Sequence, residues 1–238
     1  MTALAAGPVR ALLLDALGTL LELDPPAPRL QDQLRRRGIE VGEALAERAI
    51  AAEIAYYRSH LDEGRDDPSL ERLRRRCAEV VTCELAPGLD AALPGPDEMT
   101  EVLLASIRFT RFADVEPVLG ELKRRGLRLV VVSNWDVSLH AVLDRLGVAA
   151  HLDGIVTSAE VAVRKPAPEI FERALALAGA SPAEARHVGD SLEEDVAGAR
   201  AAGIDPILIR RGSEATPVDV PVISSLAELP ALVTRPAD

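Results

Sequence analysis

From residue 112 onward the chain alternates short apolar runs with helical segments, and those runs show no period-two alternation. The runs are residues 127–132 (LRLVVV), 153–157 (DGIVT), 186–188 (RHV) and 206–209 (PILI). Helical periods fill 115–125, 136–146, 167–178 and 192–202, and a last helix is expected over 225–233. A strand that is apolar on both sides has to be covered on both faces, and strands separated by helices pair in parallel. A further run of this kind lies far upstream, at residues 9–14 (VRALLL). It ends in Asp15-Ala-Leu-Gly-Thr19, a strand running into a tight turn.

The texture between these parts is different. Pro25, Pro26 and Pro28 open a stretch of helical periodicity without strand candidates that lasts to about residue 107. Helices are expected over 28–37, 43–62, 68–85 and 97–107, with breaks at Gly38, Gly64 to Pro68 and Pro87 to Pro96. The fold expected is therefore α/β. A doubly wound parallel sheet core spans 1–22 and 111–238, and an all-helical unit is inserted over 23–110. Hinges are expected near 22–26 and 108–114.

Charge and composition restrict the partners. A formal net charge of −11 argues against a nucleic-acid binder, which needs a basic face. Arg35 to Arg37 and Arg74 to Arg76 lie in helical patterns with acids nearby and read as solvated faces. Cys77 and Cys83 match no metal or redox spacing, which fits a reducing, cytoplasmic compartment. The apolar start lacks a basic leader region and is interrupted by Arg10 and Asp15, so neither a signal peptide nor a membrane span is expected. Nothing in the sequence encodes an oligomeric state.

In a doubly wound sheet, ligands bind beyond the carboxyl ends of the strands. Four segments bring polar residues to that edge: Asp15, Ser133 with Asn134, the stretch leading to Lys165, and Asp190. Asp15 has the chemistry of a nucleophile, Ser133 and Asn134 that of hydrogen-bonding a transferring group, and Lys165 that of neutralising Asp15 and an anionic substrate. Asp190 and Asp195 offer oxygen ligands to a hard cation. Facing carboxylates repel one another without one, so the acidic cluster implies Mg²⁺.

The four segments Asp15-Ala-Leu-Gly-Thr19, Val132-Ser133-Asn134, Lys165-Pro166 and Gly189-Asp190-Ser-Leu-Glu-Glu-Asp195 resemble the four ordered motifs of the haloacid dehalogenase superfamily. The resemblance covers essentially the whole chain and implies a Rossmann-like core. The helical insert between the first two motifs resembles the type-one cap of subfamily I. By that resemblance Asp15 is the covalent nucleophile, and Mg²⁺ is held by Asp15, the main-chain carbonyl of Leu17 and Asp190. Asp195 supports the metal directly or through water.

One position departs from the pattern. Phosphatases of this superfamily mostly carry a second Asp two residues after the nucleophile as general acid and base, and here that residue is Leu17. Three enzymatic readings follow, beside a descendant that keeps the site only to bind a ligand. The favoured one is a Mg²⁺-dependent phosphohydrolase, acting on a small phosphorylated metabolite whose leaving group needs little protonation, or borrowing an acid such as His60 or Glu63. A 2-haloacid dehalogenase also lacks the second Asp, but works without metal and usually replaces the last acidic motif with Ser and Asn. For that reading Arg29 and Arg35 to Arg37 are candidate carboxylate or halide binders. A phosphonatase needs a cap lysine, and residues 23–110 contain none.

The other candidates have plainer readings. Thr19 is a candidate for binding phosphate or orienting Asp15, and Trp135 for the pocket floor or for packing. Asp136 reads as a helix cap, Ser191 with Glu194 as a capping box, and His187 as a core residue. His140 and His151 have no partner visible in the sequence, and one of Tyr56 and Tyr57 is a candidate for a cleft.

Overall fold

The computed structural model describes residues 9–89, 91–212 and 218–233. The first eight residues of the stretch read for a leader therefore lie outside the described residues. The chain divides into two compact units, one formed by residues up to Glu22 and from Arg111, the other by Leu23–Thr110.

In chain order, β1 (Ala11–Leu14) and β2 (Leu21–Leu23) precede α1 (Pro26–Arg35), α2 (Glu43–His60), α3 (Asp67–Leu85) and α4 (Pro96–Ser106). Then come β3 (Phe109–Arg111), α5 (Val115–Arg124), β4 (Arg128–Ser133), α6 (Ser138–Arg145), β5 (Gly154–Thr157), α7 (Ser158–Val161) and α8 (Pro168–Ala178). β6 (Ala185–Gly189), α9 (Gly198–Ala201), β7 (Asp205–Ile209), β8 (Val222–Ile223) and α10 (Leu229–Leu232) complete the order.

The first unit is built on a six-stranded sheet, order β5-β4-β1-β6-β7-β8, with every pairing parallel. Its apolar strands are covered on both sides. Ala11, Leu13, Val130 and Val132 pack on the stripe Ile170, Phe171, Ala174, Leu175 of α8. The alternate residues Leu12, Leu14, Leu129 and Val131 point to the opposite face and are equally buried. This is the Rossmann-like α/β architecture, with β1 at the centre of the sheet.

Three short strands escape the sequence reading. β2, β3 and β8 have two or three residues each, too few for a period to show. The helix expected over 192–202 begins as a π-helical turn, Leu192–Ala197, in which Asp195 and Val196 both donate to the Ser191 carbonyl. The final helix shrinks to α10, behind a 3₁₀ turn that Ser225 and Glu228 close as a capping box. No helix among the described residues is long and apolar enough to cross a membrane.

The second unit packs α1 to α4 around Leu30, Leu34, Ile50, Val81 and Met99. Glu53 lies buried on α2, and burial pushes its carboxyl up to about 7 against a hydrogen bond with Cys77. An acid whose folded-state value lies above its unfolded one destabilises the fold as it ionises, so stability falls as pH rises from about 4.5 to about 7. Glu53→Gln removes that titration. In denaturant titrations we expect the variant to match the wild type near pH 4 and to exceed it by roughly 1–3 kcal/mol at about pH 8. A difference that does not change with pH is incompatible with a buried, titrating Glu53.

Candidate active site

Asp15 directly follows the central strand, and its N–H donates to Val188 of β6 at 2.9 Å. Ser133 ends β4 on one side of it, and Asp190 follows β6 on the other. The parallel register thus carries three neighbouring strand ends to a common edge. Lys165 enters from the loop after α7. Its side chain is almost fully buried, and Nζ donates to Asp15 Oδ1 at 2.7 Å and to Asp195 Oδ1 at 2.6 Å. Ser133 Oγ adds a longer bond of 3.3 Å to the same Asp15 oxygen. Asp15, Asp190 and Asp195 each bring a carboxylate oxygen within 4.8 Å of the others.

One ammonium among three carboxylates splits their behaviour. Burial pushes Asp15 up to about 7; Lys165 opposes this, and Asp195 and Asp190 add to it. Asp195 moves the other way: despite its burial, Lys165 and His187 hold it well below the usual carboxylate range. Asp190 is raised by burial and by Asp195. Lys165 is held above its ordinary value, against burial, by Asp15 and Asp195. The cluster carries net negative charge in a poorly hydrated place, which favours a further cation.

The turn after Asp15 is shaped for that charge. Gly18 sits at φ +84°, and a Cβ there would meet an Asp190 carboxylate oxygen at 2.2 Å, so only glycine brings the turn this close. A Cβ at Gly189 would likewise run into the carboxylate of Asp195. Within the turn the Ala16 carbonyl accepts the N–H groups of Leu20 and Leu21, and Leu21 accepts from Gly18. No described residue donates to the Leu17 carbonyl or to Asp15 Oδ2, and no side chain donates to the Asp190 carboxylate. These are hard oxygen donors, and the carboxylates among them lie close enough together to fit a Mg²⁺ ion. Asp195 differs, since Lys165 and His187 occupy Oδ1 and the Ser191 N–H occupies Oδ2.

Other side chains stand in roles the sequence did not disclose. Asn134 brackets Lys165, accepting its N–H at 2.8 Å and donating to its carbonyl at 3.0 Å, so its amide holds the lysine loop in place. Trp135 is buried, and its backbone is tied to Ser158 and Ala159, which favours the packing role. Thr19 is fully buried, and its hydroxyl makes no hydrogen bond to Asp15 or to any other described residue. His187 is a core residue, but its Nε2 lies 2.9 Å from Asp195 Oδ1, so it braces the cluster from below. Eight residues separate that pair, and only the return from β6 into the π-helical turn joins them. His140 does have a partner, Glu160, at 3.0 Å. Asp136 accepts from the Ser138 N–H and so caps the turn into α6, and Ser191 accepts from the Glu194 N–H. In the helical unit Glu63 is ion-paired to Arg76, which holds its carboxyl below the usual value and makes it a poor proton donor.

Comparison with known proteins agrees with this geometry. The chain is 33% identical over 237 residues to haloacid dehalogenase-like hydrolase domain-containing protein 3 of Mus musculus, covering 94% of this chain and 91% of that one. It is 31% identical to a phosphoserine phosphatase of Thermus thermophilus, over 86% of this chain and 90% of the relative. A solved 2-haloacid dehalogenase from Pseudomonas syringae superposes with a TM-score of 0.64 at 26% identity, over 94% and 97% of the two chains. The family model for haloacid dehalogenase-like hydrolases matches residues 9–203, a span that runs from just before β1 to just past α9 and takes in Asp15, Ser133, Lys165, Asp190 and Asp195. The chain therefore belongs to the haloacid dehalogenase-like hydrolases.

Proposed function

We propose that this hydrolase is a Mg²⁺-dependent phosphohydrolase of small phosphorylated metabolites, with Asp15 as its covalent nucleophile. The observation that carries the reading is the excess of carboxylate over ammonium around Lys165. The likeness to a phosphoserine phosphatase supports the same chemistry. Asp15, the Leu17 carbonyl and Asp190 would hold the ion, and Asp195 acts through Lys165 and Ser191. When bound, Mg²⁺ neutralises charge on the nucleophile and on the phosphoryl oxygens.

An Asp15 carboxylate oxygen bonds to phosphorus as the bond from phosphorus to the leaving oxygen breaks, giving an aspartyl phosphate and a departing anion. Water then attacks phosphorus, the bond to Asp15 breaks, and inorganic phosphate leaves with one of the water's protons while the other passes to solvent. Lys165 and Ser133 hold the Asp15 carboxylate in one orientation and place positive charge and a hydroxyl beside it. Leu17 neither gives nor takes a proton, so the preferred substrate departs as a stable anion, such as an acyl or aryl phosphate. The helical unit is read as the cap that selects the substrate. Neither Cys77 nor Cys83 forms a disulfide among the described residues, which fits a cytoplasmic setting.

Leu17 also favours a second reading, a 2-haloacid dehalogenase, in which halide needs no proton to leave. The two readings differ in their need for metal. A panel of alkyl, aryl and acyl phosphates and 2-haloacids, assayed with and without Mg²⁺, should show phosphate release only with the metal, fastest for acyl or aryl phosphates. Metal-free halide release would overturn the proposal in favour of a dehalogenase. No turnover of any substrate, with no Mg²⁺ binding, would leave the ligand-binding descendant.

A further inference from the structure

The turn that presents the Leu17 carbonyl is anchored by a group far along the chain. Arg211 donates to the Thr19 carbonyl through Nη2 at 2.7 Å and Nε at 3.1 Å. The same guanidinium meets Asp114 at 2.9 and 3.1 Å and lies 3.7 Å above the Phe112 ring. Asp114 in turn accepts from Ser225 Oγ at 2.6 Å and from the Leu226 N–H at 2.8 Å. One planar fork therefore ties the segment after Asp15, the start of α5 and the segment before α10 into one network. Of the carbonyls in this turn, those of Ala16, Thr19, Leu20 and Leu21 accept donors from described residues, and those of Leu17 and Gly18 do not. The turn is pinned on both sides of the Leu17 carbonyl, which it leaves open.

We propose that Arg211 is a positioning residue for the nucleophile turn: by fixing the Thr19 carbonyl it sets the direction of the Leu17 carbonyl, and Asp114 with Ser225 fixes Arg211. This inference rests on the reading of Asp15 as nucleophile and of Leu17 as a metal-facing carbonyl. It gives the C-terminal segment a part in the site that no short motif reveals. A lysine in place of Arg211 is a point donor and reaches Thr19 or Asp114, not both.

The test compares Arg211→Met and Arg211→Lys with Lys123→Met. The last breaks the Lys123–Asp153 ion pair in the same unit and touches nothing in the turn. All are measured well below their melting temperatures. Three readouts are taken: amide exchange at Leu20 and Leu21, Mg²⁺ affinity by calorimetry, and kcat and KM on whichever substrate the panel identifies. In Arg211→Met we expect exchange at both amides to quicken about tenfold and Mg²⁺ to bind several-fold more weakly. The value of kcat should fall about 10- to 100-fold with KM nearly unchanged, as for a misplaced reacting group. Arg211→Lys should fall between, and Lys123→Met should leave all three readouts at wild-type values. Unchanged exchange in Arg211→Met, or the same change in Lys123→Met, overturns the positioning role. Exchange needs neither metal nor turnover, so a wild type that lacks both would refute the functional reading while this readout still decides on Arg211.

Discussion

Leu17→Asp is expected to raise turnover of ordinary alkyl phosphate monoesters by about 10²-fold or more, the size of effect that general acid–base catalysis supplies. The turn is already built to hold such a group: backbone hydrogen bonds from Gly18, Leu20 and Leu21 and the Arg211 brace fix it, and residue 17 is only half-buried. A carboxyl there joins Asp15, Asp190 and Asp195, and like charges nearby raise its pKa towards the range useful for an acid at neutral pH. Acyl phosphates should gain much less, because their leaving group departs unprotonated. Leu17→Asn is the control, close to Asp in size but without a titratable carboxyl. If Asp and Asn give the same rates, with folding and Mg²⁺ response retained, the missing acid is not what limits this enzyme.

The sequence disclosed the sheet because its main strands, of 4 to 6 residues, are apolar on both faces, and because three of them lead into Asp15, Ser133 and Asp190. Asp15, Ser133, Lys165 and Asp190 lie at the ends of separate segments, and parallel topology alone gathers such ends at one edge. What stayed hidden depended on distance in the chain. The amide of Asn134 is as apt for binding phosphate as for bracketing a backbone, and only the fold of the loop carrying Lys165 shows that it does the latter. His187 looks like any polar residue in a buried strand until the π-helical turn brings Asp195 over Gly189 to meet it. Arg211 is one arginine among many in the sequence. Its role exists only where Thr19, Phe112 and Asp114 converge. The strands of two and three residues are held by pairing, not by propensity, and leave no period to read.

Lys165→Met should be the most destabilising single change in the site, costing roughly 3–5 kcal/mol near neutral pH, and should abolish turnover. Methionine fills much of the same volume, so the loss is one of charge: Asp15 and Asp195 lose the ammonium they share, in a place where water replaces it poorly. The pH dependence identifies the cause. Even with Lys165 present, Asp15 is raised to about 7, chiefly by burial. Without the ammonium, the folded state holds protons that the unfolded carboxylates release near pH 4, so the folded state binds more protons over that interval. The stability of the variant should therefore fall as pH rises from about 4 through 7, and the gap to wild type should narrow at acid pH. Added Mg²⁺ should return part of the lost stability, since it meets the same negative charge, yet not the turnover, because the charge on Asp15 Oδ1 is then unmatched. A deficit that is independent of pH and indifferent to Mg²⁺ would assign Lys165 a packing role and remove the electrostatic basis for placing the nucleophile at Asp15.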